Sequence, residues 1–227
     1  FGFPASDYYG INAEIVRERC GGFLAENDDI EADFVMGIAD SGFPHSIGYV
    51  KRKIELAQEK ISSAVEDLKQ GRMNMKAFER LVTATLRSVP PIRRSLVKYT
   101  PGWGRSYIPP SPETRELIAR YKQIPNPQII KKKRLVLVDD SIRRGTQLRD
   151  LVREKILPYE PKEVHGRIAS PPQMYPCIFD LGTKVKDLAT CKAIASIENG
   201  KDIDRFLEPN SEEYKTMVEE ILSLIHI

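Results

Sequence analysis

The sequence predicts an α/β protein with a mostly parallel sheet flanked by helices and carrying a helical-hairpin insertion. Three observations lead there. Short apolar runs alternate with amphipathic stretches of helical spacing. One apolar run ends in two adjacent carboxylates, after which a Gly-containing loop opens a helix. A long periodic stretch between Lys51 and Arg94 breaks once, at Gly71, as a pair of antiparallel helices would. The 227 residues, 41% apolar and 30% charged, with 14 Gly and 16 Pro, suffice for one good-sized domain and exclude a disordered or fibrous chain. Residues 1–227 therefore read as one domain, with 51–94 inserted in it.

Taken in order, Ile15, Val16, Arg19 and Phe23–Leu24 suit a short helix from Asn12 to about Ala25. Asp33 to Ala39 (DFVMGIA) reads as a buried strand running into the turn Asp40-Ser41-Gly42. Ile54, Ala57, Ile61, Ala64–Val65 and Leu68 recur at helical spacing. Met75, Phe78, Leu81–Val82 and Thr85–Leu86 form the second arm of the hairpin, which Pro90-Pro91 ends. From Lys98 to Pro112 the chain is too rich in Gly and Pro for regular structure and reads as a loop. A helix is expected near Glu113–Lys122, a strand at Leu135–Val138 and a helix over Thr146–Ile156. Glu163–Ser170 forms a further strand, closed by Pro171-Pro172. Met217, Ile221, Leu222 and Ile225 line a C-terminal amphipathic helix.

Composition narrows the function classes. No apolar run is long enough to span a membrane, and the N-terminus FGFPASDYYGIN has no signal-peptide pattern. Cys20, Cys177 and Cys191 make an odd count without a CxxC pair, and His45, His165 and His226 lie far apart. A disulfide framework or a zinc site of this chain alone is not indicated, and a reducing, cytoplasmic setting is the expectation. The formal charge of +3 hides a basic centre and an acidic C-terminal part. That asymmetry points to an anionic ligand bound in the middle of the chain. Nucleic acid is not expected, since aromatic residues are sparse there and no helix-turn-helix is visible. His45 falls just after the Asp40-Ser41-Gly42 turn, either as a donor near it or as an ordinary helix-start residue.

The stretch VLVDDSIRRGTQ, residues 136–147, carries the most chemistry. A strand ending in Asp139 and Asp140 places carboxylates where ligands gather in open α/β sheets. The loop Ser141–Gly145 leads onto a helix start, which presents free backbone N–H groups to an anion such as phosphate. The carboxylates can accept from sugar hydroxyls or hold Mg²⁺ through water. On the residues alone, paired aspartates at a strand end serve equally well as strand-terminating and helix-capping groups.

This stretch resembles the phosphoribosyl-diphosphate (PRPP) signature of type I phosphoribosyltransferases. It is most similar to that of the glutamine PRPP amidotransferase (amidophosphoribosyltransferase) family, whose usual form reads VVDDSIVRGTT. Glu31-Ala32-Asp33 with Asp40-Ser41-Gly42 resembles the family's EADVV…PDSG, and Ile47-Gly48-Tyr49 its ALGYA. Lys98 with Gly104-Arg105-Ser106-Tyr107-Ile108 is similar to its mobile loop KNRYVGRTFI. Glu163-Val164-His165 with Ile168–Pro172 and Tyr175-Pro176-Cys177 resembles EVHVRISSPP…YPC.

The resemblance implies a type I phosphoribosyltransferase fold and a role for each matching residue. Asp139 and Asp140 would bind the ribose hydroxyls, directly or through Mg²⁺, with Ser41 near the same metal. Backbone donors of Asp40, Ser41 and Gly42 would meet the pyrophosphate. Ser141, Arg144, Gly145, Thr146 and Gln147 would cradle the 5-phosphate. Lys98 and Arg105 would be the catalytic cations, on a loop closing over PRPP. The implied reaction is Mg²⁺-dependent attack of ammonia on C1, giving 5-phosphoribosylamine and pyrophosphate, as in the first step of purine nucleotide synthesis. A homo-oligomer is also expected. The family's glutaminase domain has no counterpart in the sequence, so ammonia, free or delivered by a separate glutaminase, is the expected nitrogen donor. Arg143 and Gln147 replace the usual Val and Thr, and the loop after Lys98 lacks the usual Asn-Arg. Two alternatives keep the PRPP site: a nucleobase as acceptor, or a regulator that senses PRPP without turnover.

Overall fold

The computed structural model describes residues 3–98, 123–176, 184–198 and 203–225. The chain divides into two compact units, Phe1–Asp140 with Pro161–Ala169, and Ser141–Glu160 with Ser170–Ile227.

The first unit opens with a small antiparallel pair, β1 (Asp7–Tyr8) and β2 (Ile11–Asn12). Asn12 then caps α1 (Ala13–Glu26), its Oδ1 accepting from the Glu14 amide at 2.9 Å. β3 (Phe34–Gly37) follows, and α2 (Gly42–Lys69) starts almost directly after it. Asn74 caps α3 (Met75–Ser88), accepting from the Ala77 amide at 2.9 Å. β4 (Leu96–Val97) pairs antiparallel with β5 (Ile124–Pro125), and β6 (Arg134–Asp139) and β7 (Glu163–Ile168) complete the unit. Strands β3, β6 and β7 form a parallel sheet in that order, and Ile92 adds a parallel bridge to Val35 on the far side of β3.

Leu135, Val136, Leu137 and Val138 are all buried, as an interior parallel strand requires. Val136 and Val138 pack with Val35, Ala25 of α1 and Tyr49 of α2, so those two helices cover one face of the sheet. The helices cross at close range. A Cβ at Gly21 would stand 1.9 Å from the His45 carbonyl oxygen, and one at Gly48 1.8 Å from that of Glu18.

The hairpin expected over 51–94 is drawn as α2 and α3, but its first arm begins at Gly42, well ahead of the Ile54 stripe. The reason is chemical. The first turns of α2 bury Pro44, His45, Ser46 and Gly48 rather than large apolar residues, so they leave no hydrophobic periodicity to read. Pro44 suits a first helical turn, where its missing N–H costs nothing.

In the second unit Gly145, at φ 74°, turns the chain into α4 (Thr146–Asp150). The helix expected to reach Ile156 stays α-helical only to Asp150. It widens to a π-helical turn over Leu151–Ile156 and ends in a 3-10 turn, Leu157–Tyr159. Pro158 brings no N–H to the ladder, so the regular pattern cannot continue there. Two further helices, α5 (Ala189–Glu198) and α6 (Glu212–Ile225), pack Ala189, Ala193 and Ile194 against Met217, Ile221 and Phe206. Sequence patterning does not give α5, because two of its three buried core contacts are alanines. The helix expected near Glu113–Lys122 and the loop after Lys98 lie outside the described residues. No helix among the described residues is long and apolar enough to cross a membrane.

Candidate functional site

In the first unit the residues expected to bind pyrophosphate and ribose meet at one edge of the sheet. β3 and β6 run parallel with Gly37 opposite Val138, so both strands deliver their next residues at the same end. The Ile38 amide donates to the Val138 carbonyl at 2.9 Å, carrying that pairing one step beyond β3. Gly42 then lies directly on the end of β6. A Cβ there would be 2.3 Å from the Val138 carbonyl oxygen and 3.3 Å from the Asp139 Cα. The Asp40-Ser41-Gly42 turn and the Asp139-Asp140 pair are therefore neighbours because position 42 has no side chain.

The Gly42 amide is already committed to the Ile38 carbonyl at 2.8 Å, and the Phe43 amide to the Asp40 carbonyl at 3.3 Å. The helix closes on its own first turn, and Gly42 supplies the close approach to β6. Ser41 is half-buried, and its hydroxyl does not cap α2. The Ala39–Asp40 peptide bond is cis.

Burial pushes the Asp139 carboxyl up to about 7, with the neighbouring Asp140 charge adding to the rise; the Asp140 amide, donating to Oδ1 at 2.9 Å, opposes it. A carboxylate so disfavoured on its own gains most from a cation. Two adjacent hard-oxygen donors at a strand end fit Mg²⁺, which is commonly held by one or two carboxylates plus water and substrate phosphates. Among the described residues no group of three or more His, Cys, Asp or Glu side chains forms a metal cage. His45 is buried under this turn, and its Nδ1 donates to the Ser41 carbonyl at 2.8 Å. Burial lowers its pKa against that hydrogen bond and the Asp140 charge.

Lys98, placed just past β4, forms an ion pair with the Asp40 carboxylate. The resemblance implies only a backbone role for Asp40, and a pairing across 58 residues leaves no local signal. The antiparallel pairing of Leu96 with Pro125 and Val97 with Ile124 fixes the stem from which residues 99–122 depart. Arg105 lies outside the described residues, as does Cys177.

A second network supports the sheet from beneath. Asp28, buried in the α1–β3 connection, accepts from Arg167 Nε at 2.6 Å, Arg167 Nη2 at 2.8 Å and the Tyr49 hydroxyl at 2.5 Å. Burial alone would raise its pKa, yet the Arg167 and Tyr49 hydrogen bonds hold it down at about 2.

In the second unit Ser141, Arg144, Thr146 and Gln147 are exposed around the left-handed Gly145. The loop is held from α5. The Ala189 amide donates to the Arg143 carbonyl at 2.8 Å, and Lys192 Nζ to the Arg144 carbonyl at 3.3 Å. Thr146 and Gln147 form the first turn of α4, where backbone N–H groups point out of the helix.

The parallel sheet flanked by helices, with the carboxylate pair at a strand end running straight into this loop, is the fold of type I phosphoribosyltransferases. Within that class the similarity is to amidophosphoribosyltransferases. The chain is 31% identical over 217 residues to the amidophosphoribosyltransferase of Archaeoglobus fulgidus, covering 96% of this chain and 38% of that protein. It is 32% identical over 206 residues to that of Methanocaldococcus jannaschii, covering 90% and 36%. Among solved structures, glutamine PRPP amidotransferase from B. subtilis, complexed with ADP and GMP, superposes with a TM-score of 0.59 at 27% identity, over 97% of this chain and 40% of that one. A structure described as the allosteric regulatory enzyme of purine biosynthesis gives 0.57 at 27% identity, over 99% and 39%. The chain spans little more than a third of the length of these proteins. No family model matches the sequence.

Proposed function

We propose that the protein transfers an amino group from ammonia to C1 of PRPP in the presence of Mg²⁺, releasing pyrophosphate and forming 5-phosphoribosylamine. One observation supports this most: the half-buried Asp139-Asp140 pair and the Ser41 turn share the end of two adjacent parallel strands, held together at Gly42. The names of the relatives agree with that reading.

In this scheme Asp139 and Asp140 bind the ribose hydroxyls and anchor Mg²⁺, and Ser41 faces the pyrophosphate. Ser141, Arg144, Gly145, Thr146 and Gln147 receive the 5-phosphate through backbone and hydroxyl donors. When bound, Mg²⁺ neutralises charge that builds on the departing pyrophosphate. Ammonia supplies the lone pair that forms the N–C1 bond as the C1–O bond to pyrophosphate breaks. The nitrogen then loses a proton to solvent, so no protein nucleophile is required. Lys98, paired with Asp40 in the absence of ligand, turns to the pyrophosphate when PRPP arrives, and Arg105 joins it from the following segment. Such cations act where negative charge develops, and their removal costs about 10²–10³ in rate. Ammonia is either free or delivered by a glutaminase, and the protein works as a homo-oligomer in the cytoplasm.

The test is pyrophosphate release from PRPP and Mg²⁺ with ammonium, glutamine or a panel of nucleobases as acceptor. The proposal expects ammonium to drive release, and Asp139→Asn with Asp140→Asn to abolish it. Release driven only by a base would move the protein to nucleobase transfer, and tight PRPP binding without release would make it a sensor.

A further inference from the structure

His45 is the polar group beside the site that the reaction scheme leaves unused. It stands in the first turn of α2 and is only 4% exposed. The 2.8 Å contact with the Ser41 carbonyl requires the hydrogen on Nδ1, since a carbonyl oxygen can only accept. Its own backbone has no freedom to follow a moving ring. α1 presses on it at Gly21, where even a Cβ would come within 1.9 Å of the His45 carbonyl oxygen. The ring is thus a strut between the α1–α2 crossing and the turn.

That strut acts on the residue that matters most in the turn. The Gly42 and Phe43 amides are used internally, position 44 is a proline, and the Asp40 carboxylate is paired with Lys98, which leaves the Ser41 hydroxyl as the neutral polar contact the turn offers a ligand. Nothing on the Ser41 side chain fixes its orientation, because the hydroxyl makes no cap bond to α2. The backbone bonds of Gly42 and Phe43 close the turn on either side, and the His45 ring adds a side-chain hold on the Ser41 carbonyl itself.

We infer that His45 is a positioning residue: by gripping the Ser41 carbonyl it fixes the direction in which the Ser41 hydroxyl meets the pyrophosphate of PRPP. The inference rests on the PRPP reading above. It assigns His45 no contact with substrate and no proton transfer.

Three substitutions separate this role from simple packing. His45→Asn keeps a donor close to the place of Nδ1, His45→Gln carries its amide out toward the place of Nε2, and His45→Ala has neither. Steady-state kinetics with PRPP, Mg²⁺ and ammonium should show KM for PRPP raised about tenfold in the Ala and Gln variants, with kcat within about threefold of the parent. The Asn variant should stay within about twofold in both. Amide hydrogen exchange without ligand should follow the same order, residues 41–43 losing protection in the Ala and Gln variants and keeping it in Asn. Parent-like KM and exchange in the Ala variant would overturn the inference while leaving the PRPP reading intact. Equal impairment of Asn and Gln would overturn it in favour of shape alone. A parent protein that PRPP does not saturate would overturn the PRPP reading, and with it this role for His45.

Discussion

Asp139 sets burial against charge. Its carboxyl is raised to about 7 chiefly by burial, far above the usual 3.8, so in the ligand-free protein the ionised form is held at a cost. For a carboxyl whose folded pKa is raised, that cost is absent below the unfolded pKa, grows as pH rises and is complete above about 7. Asp139→Asn should therefore stabilise the metal-free protein by about 2 kcal/mol at pH 8 while removing PRPP binding. The stability gap between variant and parent should shrink steadily toward pH 4. Chemical denaturation in chelator-containing buffer at several pH values measures it, and a gap that does not vary with pH would contradict the assignment. Asp28 behaves in the opposite sense. Burial would raise it, but Arg167 and Tyr49 hold it at about 2, so its carboxylate stabilises the fold above the unfolded value near 4. That contribution is lost as pH falls from about 4 to 2. Asp28→Asn strands the Arg167 guanidinium and should cost about 3 kcal/mol at neutral pH, the loss narrowing over that acid window. Equilibrium unfolding of the variant at pH 7 and at pH 3 checks both the size and the sign.

At the scale of elements, the start of α2 decides whether a site exists. Gly42 touches the last turn of chain before Asp139, and Gly42→Ala would drive a methyl group into the Val138 carbonyl oxygen. A backbone contact cannot give way as a flexible side chain would, so the helix start must move off β6. The variant should lose about 2 kcal/mol of stability and at least tenfold in PRPP affinity. Thermal melting and calorimetric titration test this, and parent-like affinity would show that the two strand ends need not touch. The strands and helices themselves were legible to different degrees. β6 announces itself as an unbroken apolar run, and α6 by the Met217–Ile221 stripe. The first turns of α2 were not legible, because they are buried by Pro44, His45, Ser46 and Gly48. α5 escaped for a related reason: alanines carry much of its buried face, and their spacing resembles background. The π-helical turn after Asp150 keeps Leu151, Val152 and Ile156 buried, so the apolar stripe reads the same as that of an α-helix and periodicity alone does not encode it.

For the molecule as a whole, the candidate site residues are legible in the sequence where the contacts around them are not. Asp139, Asp140 and the Ser41 turn stand out because adjacent carboxylates and a Ser-Gly turn at strand ends are unusual groupings along a chain. The ion pairs of Lys98 with Asp40 and of Arg167 with Asp28 join positions 58 and 139 residues apart, and no local pattern foretells such contacts. The central claim is that a nitrogen from ammonia is joined to C1 of PRPP at this strand end. Its most direct test is to supply ¹⁵N-ammonium with PRPP and Mg²⁺ and to follow pyrophosphate together with ¹⁵N in the phosphoribosyl product. The account predicts one ¹⁵N bound to the sugar for each pyrophosphate released, and neither product in the Asp139→Asn/Asp140→Asn double variant. Pyrophosphate released without nitrogen on the sugar, or PRPP left intact, would contradict it.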